Sequence, residues 1–135
     1  MYNNIPRGIA VHFPHLESFR ITKTLLKFIT SNAFVNMSGL MHLALDSNRI
    51  EIIYGDAFAE LPLLQSIFIS NNKIDFLHPS LFENLVNLKS IVCDYNKLEN
   101  LSEKLFEKNL NLEWISFNNN HLKSVNVDFR KLKNL

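Results

Sequence analysis

Apolar residues recur along this chain in a fixed frame with a period of 24. Leu16, Leu40, Leu64, Leu88 and Leu112 each open the same pattern. The frames are Leu16-Phe19-Ile21-Leu26, Leu40-Leu43-Leu45-Ile50, Leu64-Ile67-Ile69-Ile74, Leu88-Ile91-Cys93-Leu98 and Leu112-Ile115-Phe117-Leu122. All twenty positions are apolar, which independent placement would produce roughly once in a million trials or less. A second column runs Ile29, Ile53, Leu77, Leu101, Val125. A third runs Phe34, Phe58, Phe82, Phe106 and, one residue early, Phe129. The alternation within each opening stretch has the period of a strand. It predicts short strands near 18–20, 42–44, 66–68, 90–92 and 114–116. Each second half predicts a short helical turn or extended piece running back over the outside.

One polar column interrupts the apolar frame: Asn48, Asn72, Asn96 and Asn120, with Thr24 in the first repeat. A buried polar residue needs hydrogen-bond partners. An amide offers two N–H donors and an acceptor on a short stem. Stacked at the bend after each strand, these side chains are expected to form a structural ladder that serves backbone groups of neighbouring turns. Thr24 has a single hydroxyl donor, so the first turn is expected to be held less firmly.

A pattern Leu-x-x-Leu-x-Leu-x-x-Asn-x-Leu, followed by Leu and then Phe, resembles the leucine-rich repeat family. The likeness runs from Ile5 to Leu135. The 24-residue spacing with its Phe is similar to the "typical" subclass, common in secreted and cell-surface proteins such as Toll-type receptor ectodomains and arthropod immune proteins. The resemblance implies an α/β fold, a curved leucine-rich repeat solenoid with short parallel strands on its concave face. It also implies a non-catalytic protein-binding module, extracellular or receptor-like. The alternative is an intracellular scaffold or adaptor of the same fold in the cytoplasm. The free thiol and the absence of the family's cysteine-rich caps favour that alternative; the Phe-bearing repeat and the sequons oppose it.

The domain is read as 1–135, with a partial repeat over 1–15 and full repeats over 16–39, 40–63, 64–87, 88–111 and 112–134. In the opening half-repeat Ile5 aligns with Ile29 and Phe13 with Met37, while the Phe position falls at Ala10. In the fourth repeat Asn109 stands where Leu61 and Leu85 stand, and Leu110 is expected to fill the site. Leu135 opens a sixth frame, so the chain reads as a piece of a longer array. Uncapped ends would leave strand edges near 18–20 and 114–116 unpaired, with Phe19, Ile21, Ile115 and Phe117 beside them. Self-association through those edges is expected.

Composition narrows the function. The 135 residues include 21 Leu and 18 Asn, the two types that build the repeat. Fourteen basic against thirteen acidic residues leave a net charge of +1, without the basic excess that nucleic-acid binding requires. Three glycines, none close to another, rule out glycine-rich phosphate loops. No apolar run is long enough to span a membrane, so no direct membrane contact is expected within the chain. The opening Met1-Tyr2-Asn3-Asn4-Ile5-Pro6 lacks the charged head and apolar stretch of a secretion signal. No cofactor is expected.

On the outward strand positions, large apolar residues stand where solvent should be. Phe68 and Val92 share a column, Trp114 lies diagonal to Val92, and Tyr95 lies toward the strand end. Aromatic residues in such positions are frequent interface anchors. With Asp46 and Asp94, which share another outward column, they form a candidate protein-binding patch. The competing explanation is cross-strand apolar pairing that stabilises a half-exposed sheet.

Other chemistry is thin. His12 and His15 have a helical metal-ligand spacing, but Pro14 argues against a helix there. Asp46 and Asp94 lie two rungs apart without a cleft, so an ion contact or polar rim fits better than catalysis. Cys93 aligns with inward apolar residues and is expected to be buried and inert. Asn36-Met37-Ser38 and Asn100-Leu101-Ser102 are candidate glycosylation sequons at Asn36 and Asn100.

Overall fold

The computed structural model describes residues 3–135. Met1 and Tyr2, which open the segment compared above with a secretion signal, lie outside the described residues. The architecture is a parallel-strand solenoid. Five strands, β1 (Ser18–Arg20), β3 (His42–Ala44), β5 (Ser66–Phe68), β6 (Ser90–Val92) and β8 (Trp114–Ser116), form one sheet in chain order. Between β1 and β3 runs β2 (Phe28–Ile29), and between β3 and β5 runs β4 (Ile52–Ile53); these two pair with each other. On the later rungs β7 (Asn100–Leu101) pairs with β9 (Ser124–Val125). Each register joins residues 24 apart, as in Phe19↔Leu43 and Ile67↔Ile91. The rung is therefore the sequence period made physical: strands at about 4.8 Å separation exchange backbone hydrogen bonds with their neighbours, two each for β3, β5 and β6 and one each for β1 and β8.

The alternation decides which side chains enter. Leu40, Leu43, Leu45, Ile50, Leu64, Ile67, Ile69, Leu88, Ile91, Cys93 and Leu112 are fully buried. In the second halves the phenylalanines form a continuous spine. Phe34 meets Phe58 at 5.8 Å, Phe58 stacks on Phe82 at 6.4 Å, and Phe82 stacks on Phe106 at 5.9 Å. Strand-side rings close its ends, Phe19 on Phe34 and Phe117 on Phe106. The outer segments are tight turns with i to i+3 bonds, such as Leu61 N–H to Phe58 O at 3.1 Å and Leu85 N–H to Phe82 O at 3.0 Å.

The asparagine side chains repeat one arrangement on successive rungs. Asn72 Nδ2 donates to Ile69 O and Ser70 O on its own rung and to Leu45 O on the rung before, at 3.1, 3.2 and 3.1 Å. Its Oδ1 accepts Ile50 N–H at 3.0 Å. Asn96 and Asn120 do the same one and two rungs on. At rung one the pattern changes. Thr24 gives both its N–H (2.9 Å) and its hydroxyl (2.6 Å) to Asn48 Oδ1, so a single acceptor serves two donors.

A second column makes this bend possible. Lys23, Ser47, Asn71, Tyr95 and Asn119, each just before its ladder residue, all have φ between 54° and 57°. This left-handed turn is uncommon for residues other than Gly, Asn and Asp. It is held by inter-rung bonds such as Ser47 N–H to Ser70 O and Tyr95 N–H to Asn118 O, both 2.9 Å.

Four expectations need correction. Leu110 does not fill the Leu61/Leu85 column: it is exposed, and Asn109 is completely buried there. Shifting by one residue would have broken the phase of both Phe106 and Leu112. The amide instead satisfies its donors on Phe82 O (2.8 Å) and Leu85 O (2.9 Å). Phe129 is not in the spine. It is exposed and opens a short 3₁₀ turn, Phe129–Lys131, capped by Asp128, whose Oδ1 accepts Arg130 N–H at 3.1 Å. Arg130 also grips both Asp128 oxygens, at 2.8 and 3.0 Å, and holds that carboxyl down to about 2. In the opening half-repeat Phe13 is exposed although Met37 is buried; Ile5 and Ala10 are the residues that pack. A single helical turn, α1 (Ile9–His12), does form ahead of Pro14. It includes His12 but not His15, because Pro14 follows directly after its cap.

Candidate protein-binding face

The sheet displays the outward positions in register. Phe68 stands abreast of Val92 and of Ala44, and Trp114 stands abreast of Ser90, which is abreast of Ser66. Phe68 is 36% exposed and Trp114 62%. Their neighbours Ala44, Ser66, Ser90 and Ser116 are all small, so the two large rings rise above a low sheet surface. Val92 is half-buried between them. Tyr95 is exposed at the left-handed turn after β6, a position that carries its ring beyond the strand end. The structure thus brings Phe68, Val92 and Trp114 onto one surface and places Tyr95 on its margin.

Asp46 and Asp94 have a further occupation that the sequence reading missed. Asp46 Oδ1 accepts Ser70 N–H at 2.8 Å, and Ser70 Oγ accepts Asp94 N–H at 3.0 Å. Asp94 Oδ1 accepts Asn118 N–H at 2.7 Å and the Ser116 hydroxyl at 2.6 Å. Together they make a second ladder, parallel to the first, on the solvent side of the sheet. The signal available in the sequence was the run of short polar residues Thr22, Asp46, Ser70, Asp94 and Asn118 at one frame position. The two carboxylates are separated by the Ser70 rung and do not form a pair.

Cys93 lies inside the sheet, fully buried. Burial pushes its thiol well above the ordinary value of 9.0, the Asp94 carboxylate adds to this, and the Asn96 amide at 3.4 Å opposes it. A thiol reagent is therefore expected to react slowly with the native chain and rapidly in denaturant. The folded thiol binds its proton more tightly than the unfolded one. Its contribution to stability is full below pH 9 and falls as pH rises further, by about 1.4 kcal/mol per unit. Denaturation of the native chain and Cys93→Ala at pH 8, 9.5 and 10.5 should show their difference narrowing or reversing. A constant difference would contradict the buried neutral thiol.

Asn36 is exposed at a turn with φ 63°. Asn100 is exposed in β7, where its Oδ1 accepts the Ser124 hydroxyl at 2.9 Å. Among the described residues no group of three His, Cys, Asp or Glu side chains could hold a metal, and no helix is long and apolar enough to cross a membrane.

Comparison with known proteins agrees with this geometry. The family described as "Leucine rich repeat" matches residues 14–74 and 63–122. The chain belongs to the leucine-rich repeat family. Among solved structures it is similar to the leucine-rich repeat domain of APL1B, with a TM-score of 0.84 and 23% identity over 94% of this chain. It is also similar to the APL1 leucine-rich repeat domain, with a TM-score of 0.89 and 20% identity over its whole length. The chain spans 37% and 35% of the lengths of those two chains. At this identity the likeness concerns the fold. No curated protein matches the sequence. The leucine-rich repeat fold is in general a scaffold for protein interaction.

Proposed function

We propose that this chain is a non-catalytic binding module that holds a protein ligand on rungs three to five of its concave face. The single observation that supports this most is the exposure of Trp114 and Phe68 over a floor of small residues. Phe68, Val92, Trp114 and Tyr95 supply the apolar contact. Asp46 and Asp94 border it with carboxylate oxygens beyond those used in the second ladder. An extracellular or cell-surface setting, with receptor-like recognition, is supported by the subclass resemblance. It is supported also by the exposed sequon residue Asn36, which we propose as a glycosylation site; the Asn100 side chain is instead engaged by the Ser124 hydroxyl.

A photo-reactive amino acid placed at Ser90, abreast of Trp114, and in a second preparation at Lys104 on the outer turns, tests the face. Both are offered to the extracellular fluid of the source organism. Discrete adducts are expected from position 90 alone, and Trp114→Ala should weaken binding of the captured protein by about 2 kcal/mol, or roughly thirtyfold. Equal capture at both positions would sink the concave-face assignment. No turnover is expected in a screen of hydrolase substrates, and turnover there would count against a purely binding role. End-to-end association through β1 and β8, the sheet's two edges, beside which Ile21, Ile115 and Phe117 are only half-buried, is the competing mode of self-association.

A further inference from the structure

One flank of the solenoid carries an apolar row that the concave face does not explain. After each ladder asparagine the chain leaves the sheet and turns toward the outer segments. There Ile52 is 50% exposed and Phe76 59%, one rung apart, with Phe28 half-buried on the rung before. Tyr54, 48% exposed, adjoins them. Isolated exposed apolar side chains are ordinary, but a contiguous row of them marks an interaction surface. The row stops at rung four, where Asn100 and Ser124 occupy its line and bond to each other.

The polar groups beside this row are ordered. On its sheet side run Lys27, Glu51 and Asp75, and beyond the last two Arg49 and Lys73. On its other side run Tyr54 and His78. None of Arg49, Glu51, Lys73 and Asp75 has an oppositely charged group within 4.0 Å among the described residues. His78 is fixed in place. Its Nδ1 bonds the Ser80 hydroxyl at 2.8 Å, and its ring covers Gly55 so closely that a Cβ there would lie 2.7 Å from it. The ring also meets Phe76 edge-on at 6.3 Å.

Rows of both signs suit no uniformly charged polymer. They suit a second copy of the same surface. A two-fold axis parallel to the solenoid axis, running along the Ile52–Phe76 row, lays that row on itself. It also brings the Glu51/Asp75 row of each copy over the Tyr54/His78 row of the other, acceptors over donors, twice by symmetry. A two-fold axis running across the rungs would lay carboxylates on carboxylates and is disfavoured. We propose that two copies of this chain dock side by side, with rungs parallel, through the flank centred on Ile52, Tyr54 and Phe76.

Sedimentation of the 135-residue chain from micromolar to several hundred micromolar tests this. The expected result is a closed monomer–dimer equilibrium. Phe76→Glu should weaken it about 100-fold, a change typical of a central interface anchor. Because Phe76 is mostly exposed, the same variant should keep the native circular dichroism and melting temperature. Phe76→Cys, next to the axis, should oxidise to a covalent dimer, with buried Cys93 unreactive. Val86→Cys, on the segment leading into the next strand, should not. A wild-type chain that stays monomeric overturns the proposal. So does dimerisation unaffected by Phe76→Glu, or cross-linking no faster through Phe76→Cys than through Val86→Cys. End-to-end association through β1 and β8 would appear as an open-ended series indifferent to Phe76, and that outcome also counts against it.

Discussion

Replacing Phe82 with alanine is expected to lower the unfolding free energy by about 3–5 kcal/mol. The ring is completely buried and stacks on Phe58 and on Phe106 with interplanar angles of 4° and 3°. Its removal takes away the transfer free energy of a large side chain and leaves a void between two rings that cannot both close it. The turns above and below are pinned by Leu61 N–H to Phe58 O and Leu85 N–H to Phe82 O, so collapse is restricted. The control is Phe129→Ala. It has the same chemistry and was placed in the same column by the sequence frame, but it is 40% exposed. Its cost should be under about 1 kcal/mol, in the range of surface substitutions with some packing. Urea denaturation of both variants measures the difference. Equal losses would mean that the spine does not end at Phe106 and Phe117.

Asn72→Ala should come next in size. Four hydrogen bonds of that side chain join two rungs in a buried setting. Truncation strands Ile50 N–H, while Leu45 O, Ile69 O and Ser70 O each lose one donor and keep another, from Asn48 Nδ2, Asn96 Nδ2 and Ser47 N–H. The stranded N–H costs about 1–3 kcal/mol, and the three weakened carbonyls bring the total to about 2–4 kcal/mol. Asn120→Ala removes an equivalent set of bonds, but Asn120 is only half-buried and water can replace them. Its loss should be smaller by at least about 1 kcal/mol, the net worth of a typical exposed-versus-buried bond difference. A reversed order, read from the same denaturation curves, would contradict the ladder as the device that couples rung to rung.

How much of this was legible depends on what kind of fact is asked for. The strands, their parallel order and the Phe spine through Phe106 could be read directly. A 24-residue period with inward alternation leaves few other ways to bury twenty apolar positions at once. The asparagine column could be read as a column; the carbonyls it serves are tertiary facts. Asn109 shows the limit of reading by residue type. An amide in a leucine position looks like a slip to the next residue, but preserving the phase of Phe106 and Leu112 costs less than moving the chain, and two carbonyls were within reach. Asp46 and Asp94 show another limit. They looked like free outward carboxylates, but the sheet's pleat brings the next rung's N–H groups to their Oδ1 atoms.

The sequence by itself determined the solenoid, its rung length and its core apart from Asn109, Val125 and Phe129, because burial follows a strict period set by the hydrophobic effect. It also determined which outward side chains are aromatic. The tertiary structure decided what surrounds them. It set Phe68 and Trp114 over small neighbours. It imposed the left-handed turn at Lys23, Ser47, Asn71, Tyr95 and Asn119, which no residue type there demands. It also turned Ile52, Tyr54 and Phe76 out onto one flank. Such features depend on where each rung turns its corner. That point is set by inter-rung hydrogen bonds between residues more than twenty positions apart, and hydrophobic patterning within a single rung carries no trace of them.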